Sequence, residues 1–378
     1  MQIIMYEVKN LSRIGVKRSI FASLVLTLFS FMVCIISISS SFAAFGLIAA
    51  FVIGVPFGSS CYSFLSIKKG LIINTLFTIY AMYLIFFWSR TPIEFIGAII
   101  LGISGGYLLT TLPYILVADF FPSEKASTLG KILLFSTSLT CFFFYALKPN
   151  IALLMAVSSI SILSGSFFLF KTITKLKKAE ITIQNQPLPP ILKETKRQRK
   201  NRIKISIFFL FIALSAGLTA RIKYIAPQSE QANYSWLLIA GLLLSPIITS
   251  LFINRKGIYS GCILLIFLAE FSLTAAGLYR TSPLISQLGD LTFGLLLPAL
   301  AITCPVLTFY MLGPAAFGTN ISRVIVALPI GFSAVIPLYT IETRALLASP
   351  IIYLCLFLLV CSFFTIFSAW SHRLILLK

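Results

Sequence analysis

The stretch KTITKLKKAEITIQNQPLPPILKETKRQRKNRIK, residues 171–204, carries eleven Lys or Arg against Glu180 and Glu194, with Pro187, Pro189 and Pro190 at its centre. This is the composition of a solvated or disordered linker. Its flanks decide the fold. Six apolar blocks precede it, at about 19–39, 42–66, 70–89, 93–118, 129–147 and 150–170. Six follow, at about 205–226, 234–253, 258–279, 285–312, 320–341 and 345–370. A block of about 20 residues crosses a bilayer core roughly 30 Å thick as a helix. In hydrocarbon each backbone amide must be satisfied within its own segment, leaving helices or closed barrels, and uninterrupted apolar runs lack the alternation of a barrel.

Composition agrees. Hydrophobic residues make up 58% of the 378 positions and charged ones 11%, against roughly 25% charged in a soluble domain. The formal charge of +20 does not imply a nucleic-acid partner, because the cations sit between apolar blocks rather than on a solvated face interleaved with aromatics. The seven cysteines (Cys34, Cys61, Cys141, Cys262, Cys304, Cys355 and Cys361) all fall in apolar segments, without a CxxC pair, and the single histidine is His372. That pattern implies no metal, disulfide or cofactor; the thiols read as small buried hydrophobes. Lys17 and Arg18 precede an apolar run as in a signal peptide, but the run from Ser19 to about Ser39 is long and has no clear cleavage site. It reads as the first membrane helix.

Orientation follows from the cations, which accumulate in cytoplasmic loops. With the N-terminus inside, 24 of the 30 Lys and Arg are cytoplasmic and 6 are outside; without the linker the split is 13 to 6. The linker either rests on anionic headgroups, at about 1 kcal/mol per basic residue near the surface, or simply obeys the charge rule. Lys68-Lys69-Gly70 and Arg255-Lys256-Gly257 lie 187 residues apart (from 68 to 255), each after the second span of its half. This points to parallel repeats. The expectation is an all-α polytopic membrane protein of twelve transmembrane helices in two parallel six-helix repeats. The divisions are a cytoplasmic tail (1–18), a bundle (19–170), the linker (171–204), a second bundle (205–370) and a tail (371–378).

On this plan the chain resembles the major facilitator superfamily across nearly its whole length. The best local match is Asp119 to Gly130, with Pro122 and Lys125, which looks like that family's acidic-x-Phe-Pro … Arg-Gly-x-Ala-x-Gly pattern, Lys125-Ala126 standing for Arg-Gly. The family's loop between helices two and three reads Gly-x-x-x-Asp-Arg-x-Gly-Arg-Arg; here Gly58 leads to Lys68-Lys69-Gly70 with no acid between. In the family that Asp belongs to a charge network holding the halves together. The signatures of drug antiporters, sugar porters and peptide transporters are absent. The resemblance implies a secondary active transporter of a small solute, not an enzyme, monomeric in the plasma (inner) membrane and working by alternating access, with coupling, if any, through protons. The other reading, supported by the missing Asp, is a membrane scaffold or sensor that keeps the fold without transport. A lipid-acting enzyme would need a polar cluster that does not occur, and the chain has no Walker loop.

An ionisable side chain inside a bilayer costs at least about 2.5–3.5 kcal/mol on insertion scales. Glu270, mid-way along the ninth span, and Asp290, in the outer part of the tenth, are therefore candidates for ion coupling. Each also has a structural reading: Glu270 as a protonated acid hydrogen-bonded to a neighbouring helix, Asp290 as an acid at its helix start. Arg221 and Lys223 end the seventh span on the same side, so either could pair with Asp290. For solute contact the candidates are Tyr107, Thr110, Thr111 and Tyr114, spaced i, i+3, i+4, i+7 on one face of the fourth span, with Arg221. Thr and Tyr there could equally serve helix contacts. The family's helices one, four, seven and ten line its central cavity. For orientation, a fluorescent reporter fused after Asn185 is expected to fold and glow in the cytoplasm, and one exported after Ser229 to stay dark; the reverse pattern would invert the topology.

Overall fold

Helices form along the apolar blocks because no other local structure closes the backbone hydrogen bonds in hydrocarbon. A computed structural model describes residues 13–39, 41–64, 67–119, 122–147, 150–183, 195–223, 236–278, 283–312 and 314–335. The first elements are α1 (Arg13–Ile36), α2 (Ser41–Phe64), α3 (Ile67–Phe87), α4 (Pro92–Asp119), α5 (Pro122–Leu147) and α6 (Ile151–Ile183). They are followed by α7 (Lys196–Lys223), α8 (Trp236–Lys256), α9 (Ile258–Gly277), α10 (Pro283–Leu312), α11 (Pro314–Ile325) and α12 (Ala327–Ser333). Among the described residues, eight helices are long and apolar enough to cross a membrane: α1 and α4 to α10. The chain is an integral multi-pass membrane protein. α11 and α12 form one rod interrupted at Val326, on the predicted eleventh span, and the predicted twelfth, 345–370, lies outside the described residues.

Several boundaries depart from the hydropathy reading. α6 runs on to Ile183 and α7 begins at Lys196, so both ends of the expected open linker are helix. Lys, Arg, Gln and Ala are strong helix formers, and Thr195 starts α7 with a capping box. Its N–H donates to Gln198 Oε1 at 2.9 Å, while the Gln198 N–H donates to Thr195 Oγ1 at 3.2 Å. α5 begins at Pro122 rather than 129, since proline suits the first helical position. The two basic triads are also not equivalent. Lys68, Lys69 and Gly70 lie in the first turn of α3, whereas Arg255 and Lys256 end α8 and Gly257 makes the turn with φ 86°. Glycine adopts that conformation without steric penalty.

Repetition shows instead in how the helices pair. The most extensive contact is α2 with α4, and its counterpart is α8 with α10; α3 with α4 recurs as α9 with α10, and α1 with α5 as α7 with α12. Glycines permit the two closest of these. A Cβ on Gly106 would lie 2.6 Å from the Gly54 carbonyl carbon and the Val55 nitrogen, and one on Gly294 would strike the Leu238 carbonyl oxygen and lie 3.1 Å from Gly241 Cα. Gly54 and Gly241 are again 187 positions apart. Hydroxyls add cross-links: Ser30 Oγ donates to the Ser158 carbonyl at 2.8 Å, Ser104 Oγ to Asn74 Oδ1 at 2.9 Å and Ser215 Oγ to the Ala269 carbonyl at 3.1 Å.

The helices before and after the linker meet through α5 with α8 and α10, through α2 and α4 with α11, and through α2 with α12. Val55 and Ala126 join the core cluster of the later helices, and Leu109, Leu129 and Leu133 pack against it. All five lie in the parts of α2, α4 and α5 nearer Asp119 and Pro122. Exposed large apolar side chains line α3 (Leu76, Tyr80), α6 (Ile160, Phe167) and α9 (Ile263, Phe267), the faces turned to lipid. Gly106→Leu and Gly294→Leu are each expected to lose about 1–3 kcal/mol, the range for overpacking, and to lower the melting temperature of the solubilised protein. Ile53→Leu, at an exposed position of α2, should leave it unchanged.

Candidate functional site

Buried charge concentrates where α7 ends against α10. Arg221 is 1% exposed, the bulkiest of the fully buried side chains among the described residues. Two residues on, Lys223 Nζ pairs with Asp290 Oδ1 and donates to the Ser286 carbonyl at 2.7 Å. Ser286 and Asp290 are i and i+4 on α10, so a carbonyl and a carboxylate present one face to the ammonium. Asp290 stands seven residues after Pro283, the first residue of α10. The helix-start reading therefore fails, because the favourable dipole is confined to the first turn.

Tyr107 and Thr110 of the fourth-span stripe are packed inside the protein. Tyr107 is 3% exposed and belongs to the core of the earlier helices, and Thr110 Oγ1 donates back to the carbonyls of Tyr107 at 2.9 Å and Gly106 at 3.3 Å. Such back-bonds satisfy a threonine within its own helix. Thr111 and Tyr114 continue α4, their side chains outside the described residues. Glu270 is half-buried on α9, beside the outward row Ile263, Phe267 and Thr274. Among the described residues no hydrogen bond or ion pair reaches it, so the structure joins Lys223 to Asp290 and leaves Glu270 apart from both.

Of the loop-motif residues, Gly58 lies in α2, and Lys68, Lys69 and Gly70 lie in α3. Asp119 closes α4, Pro122 opens α5 and Lys125 is in its first turn. Gly130 is buried against α8, where a Cβ would lie 2.8 Å from the Pro246 carbonyl oxygen and 3.2 Å from Ser250 Cβ. Arg255, Lys256 and Gly257 are exposed.

Sequence reasoning missed Glu94, which is wholly buried. Its Oε1 accepts the Ser39 N–H at 2.6 Å and the Ser39 hydroxyl at 3.0 Å, and its Oε2 accepts the Arg90 N–H at 2.5 Å. Arg90 holds a left-handed backbone, φ 62°. The signal was present: Thr91, Pro92 and Glu94 occupy the N-cap, N1 and N3 positions of a helix start. Glu94 and Asp290 thus stand on the paired helices α4 and α10 and grip the chain at the ends of α1 and α7. Breaking one side of a buried ion pair costs about 3–5 kcal/mol, whereas an apolar pair of similar volume can replace it at little loss. Lys223→Met and Asp290→Leu are therefore each expected to destabilise the protein more than the double variant does, read by thermal unfolding; additive losses would mean the pair contributes no coupling.

No family model matches the sequence, and no curated protein matches it significantly. Solved structures do resemble the fold. A bacterial homologue of the iron transporter ferroportin in an outward-facing state superposes with a TM-score of 0.66 at 14% identity, covering 94% of this chain and 99% of that one. The human organic anion transporter MFSD10 (TETRAN) gives 0.63 at 14% identity, covering 94% and 100%. The major facilitator superfamily transporter FucP in its outward conformation gives 0.56 at 14% identity, covering 91% and 97%. The chain has the fold of the major facilitator superfamily transporters.

Proposed function

We propose that this chain is a secondary active transporter of a small solute, working by alternating access as a monomer. Its plan is twelve helices in two parallel six-helix repeats, with both termini in the cytoplasm and the linker at the cytoplasmic face. The observation that carries this reading is the mostly apolar bridge between the two groups of helices. Val55, Leu109, Ala126, Leu129 and Leu133 join the later helices through the parts nearer Asp119 and Pro122. Gly130 lets α5 approach α8 in that same region. Mostly apolar contacts of this kind can part without unfolding either group, which is what rocking about a central site requires.

Arg221, at the α7–α10 junction, is the proposed solute contact from the later helices, and Tyr107, Thr110, Thr111 and Tyr114 those from the earlier. The Lys223–Asp290 pair serves as a gate near the end opposite the bridge, and Asp290 and Glu270 are the proposed proton carriers. Iron and organic anions, for which two of the neighbours are named, share no chemistry that these residues single out.

The test needs no substrate. Spin labels are placed at Lys131 on α5 and Arg255 on α8, both exposed near the bridge, in a cysteine-free background. Two distance populations are expected in nanodiscs, the shorter matching this arrangement. A single short distance across pH and lipid composition would overturn alternating access and favour a scaffold or sensor.

A further inference from the structure

We propose that the junction of α7 and α11 is a binding site for an anionic phospholipid, with Arg199, Lys200 and Arg323 receiving the phosphate and Ile203 and Ile207 an acyl chain. The helical start of α7 makes the site. Lys196, Arg197, Arg199, Lys200, Arg202 and Lys204 fall within the first nine residues of this helix rather than on an open chain. At 1.5 Å per residue, Arg199 and Arg202 lie about 9 Å and 4.5 Å beyond Ile205, where the apolar span begins. That is headgroup depth.

Ile203 and Ile207 are 47% and 38% exposed and share one face of α7, the face turned to lipid. Arg199 and Lys200, four and three residues before Ile203, continue that face, and both are exposed. The apolar row therefore runs directly into two cations. α11 supplies a second wall. Ser206 Oγ donates to the Arg323 carbonyl at 3.5 Å, placing Arg323 beside α7, and Arg199 and Arg202 precede Ser206 by two turns and one on its face. Arg323 is exposed and its Nη1 reaches Asn320 Oδ1 at 3.4 Å, which draws the guanidinium toward the start of α11, the end from which α7 also begins. The corner is fixed from beneath, since Gln198 Nε2 donates to the Leu312 carbonyl at the end of α10 at 3.1 Å.

Cations from two helices beside an exposed apolar row match both parts of a phospholipid. A free phosphate would use only the first part. Basic pockets between membrane helices are the general form of such headgroup sites.

Native mass spectrometry of the full-length protein, given phosphatidylglycerol or phosphatidylcholine of identical acyl chains, tests the site. Wild-type protein is expected to retain phosphatidylglycerol at least about tenfold better. Arg199→Gln/Lys200→Gln/Arg323→Gln should reduce retention to the phosphatidylcholine level. Lys131→Gln/Arg255→Gln/Lys256→Gln, which removes as many cations elsewhere at that end, should leave it intact, and inorganic phosphate should not compete. Equal retention of the two lipids by the wild type, equal losses in the two triple variants, or full displacement by phosphate would each overturn the proposal. Should the first triple variant fail to fold, Arg199→Gln and Arg323→Gln are measured singly; unchanged retention in both would overturn it as well.

Discussion

The backbone contact of α2 with α4, through Gly54 and Gly106, is repeated by α8 with α10 through Gly241 and Gly294. Lipid tails are as apolar as leucine, so burial alone cannot hold membrane helices together, and close van der Waals packing must do it. Removing the Cβ at both sides of a crossing allows that approach. Other features follow from it. With α4 drawn against α2, Glu94 sits under the connection between α1 and α2 and can take the Ser39 N–H. With α10 close to α9 through Gly289, which abuts Ala275, Asp290 faces the end of α7.

Charge in this interior is arranged as grips between chain segments. Glu94 receives backbone donors from two connections, and Lys223 receives a carboxylate and a carbonyl from one helix. In a low-dielectric setting each contact is electrostatically strong and each unpaired group costly. A stiffening of each group at this end follows, while the contact between the groups is mostly apolar. That division suits two bodies that move against each other more readily than they deform.

The spans were legible because hydropathy integrates over about 20 residues, and blocks such as 258–279 and 285–312 correspond closely to α9 and α10. Features smaller than that window were not. The capping box at Thr195–Gln198 and the helix start at Thr91–Glu94 occupy four residues each, so the linker ends were read as open chain and Glu94 was passed over. Glycine at a basic triad was visible, but only Gly257 makes a left-handed turn; Gly70 is helical, and the repeat lies in glycines buried within apolar blocks. For the charged site, position narrowed the partner of Asp290 to Arg221 or Lys223, and the geometry shows the pair with Lys223. Whether Glu270 faces lipid or protein depends on the rotation of α9, which its nearly uniform apolar composition hides.

The continuation of α6 to Ile183 and the start of α7 at Lys196 have a mechanical meaning. Thirteen residues past position 170 carry α6 about 20 Å beyond its apolar block, so its tip stands about 35 Å from the bilayer mid-plane, against about 15 Å for a tight turn at the surface. On the proposed function, both rods extend bodies that pivot near that mid-plane. For any such tilt of one body against the other, the tip of α6 sweeps an arc more than twice that of a surface loop, which makes the described end of α6 a long lever on the covalent connection between them.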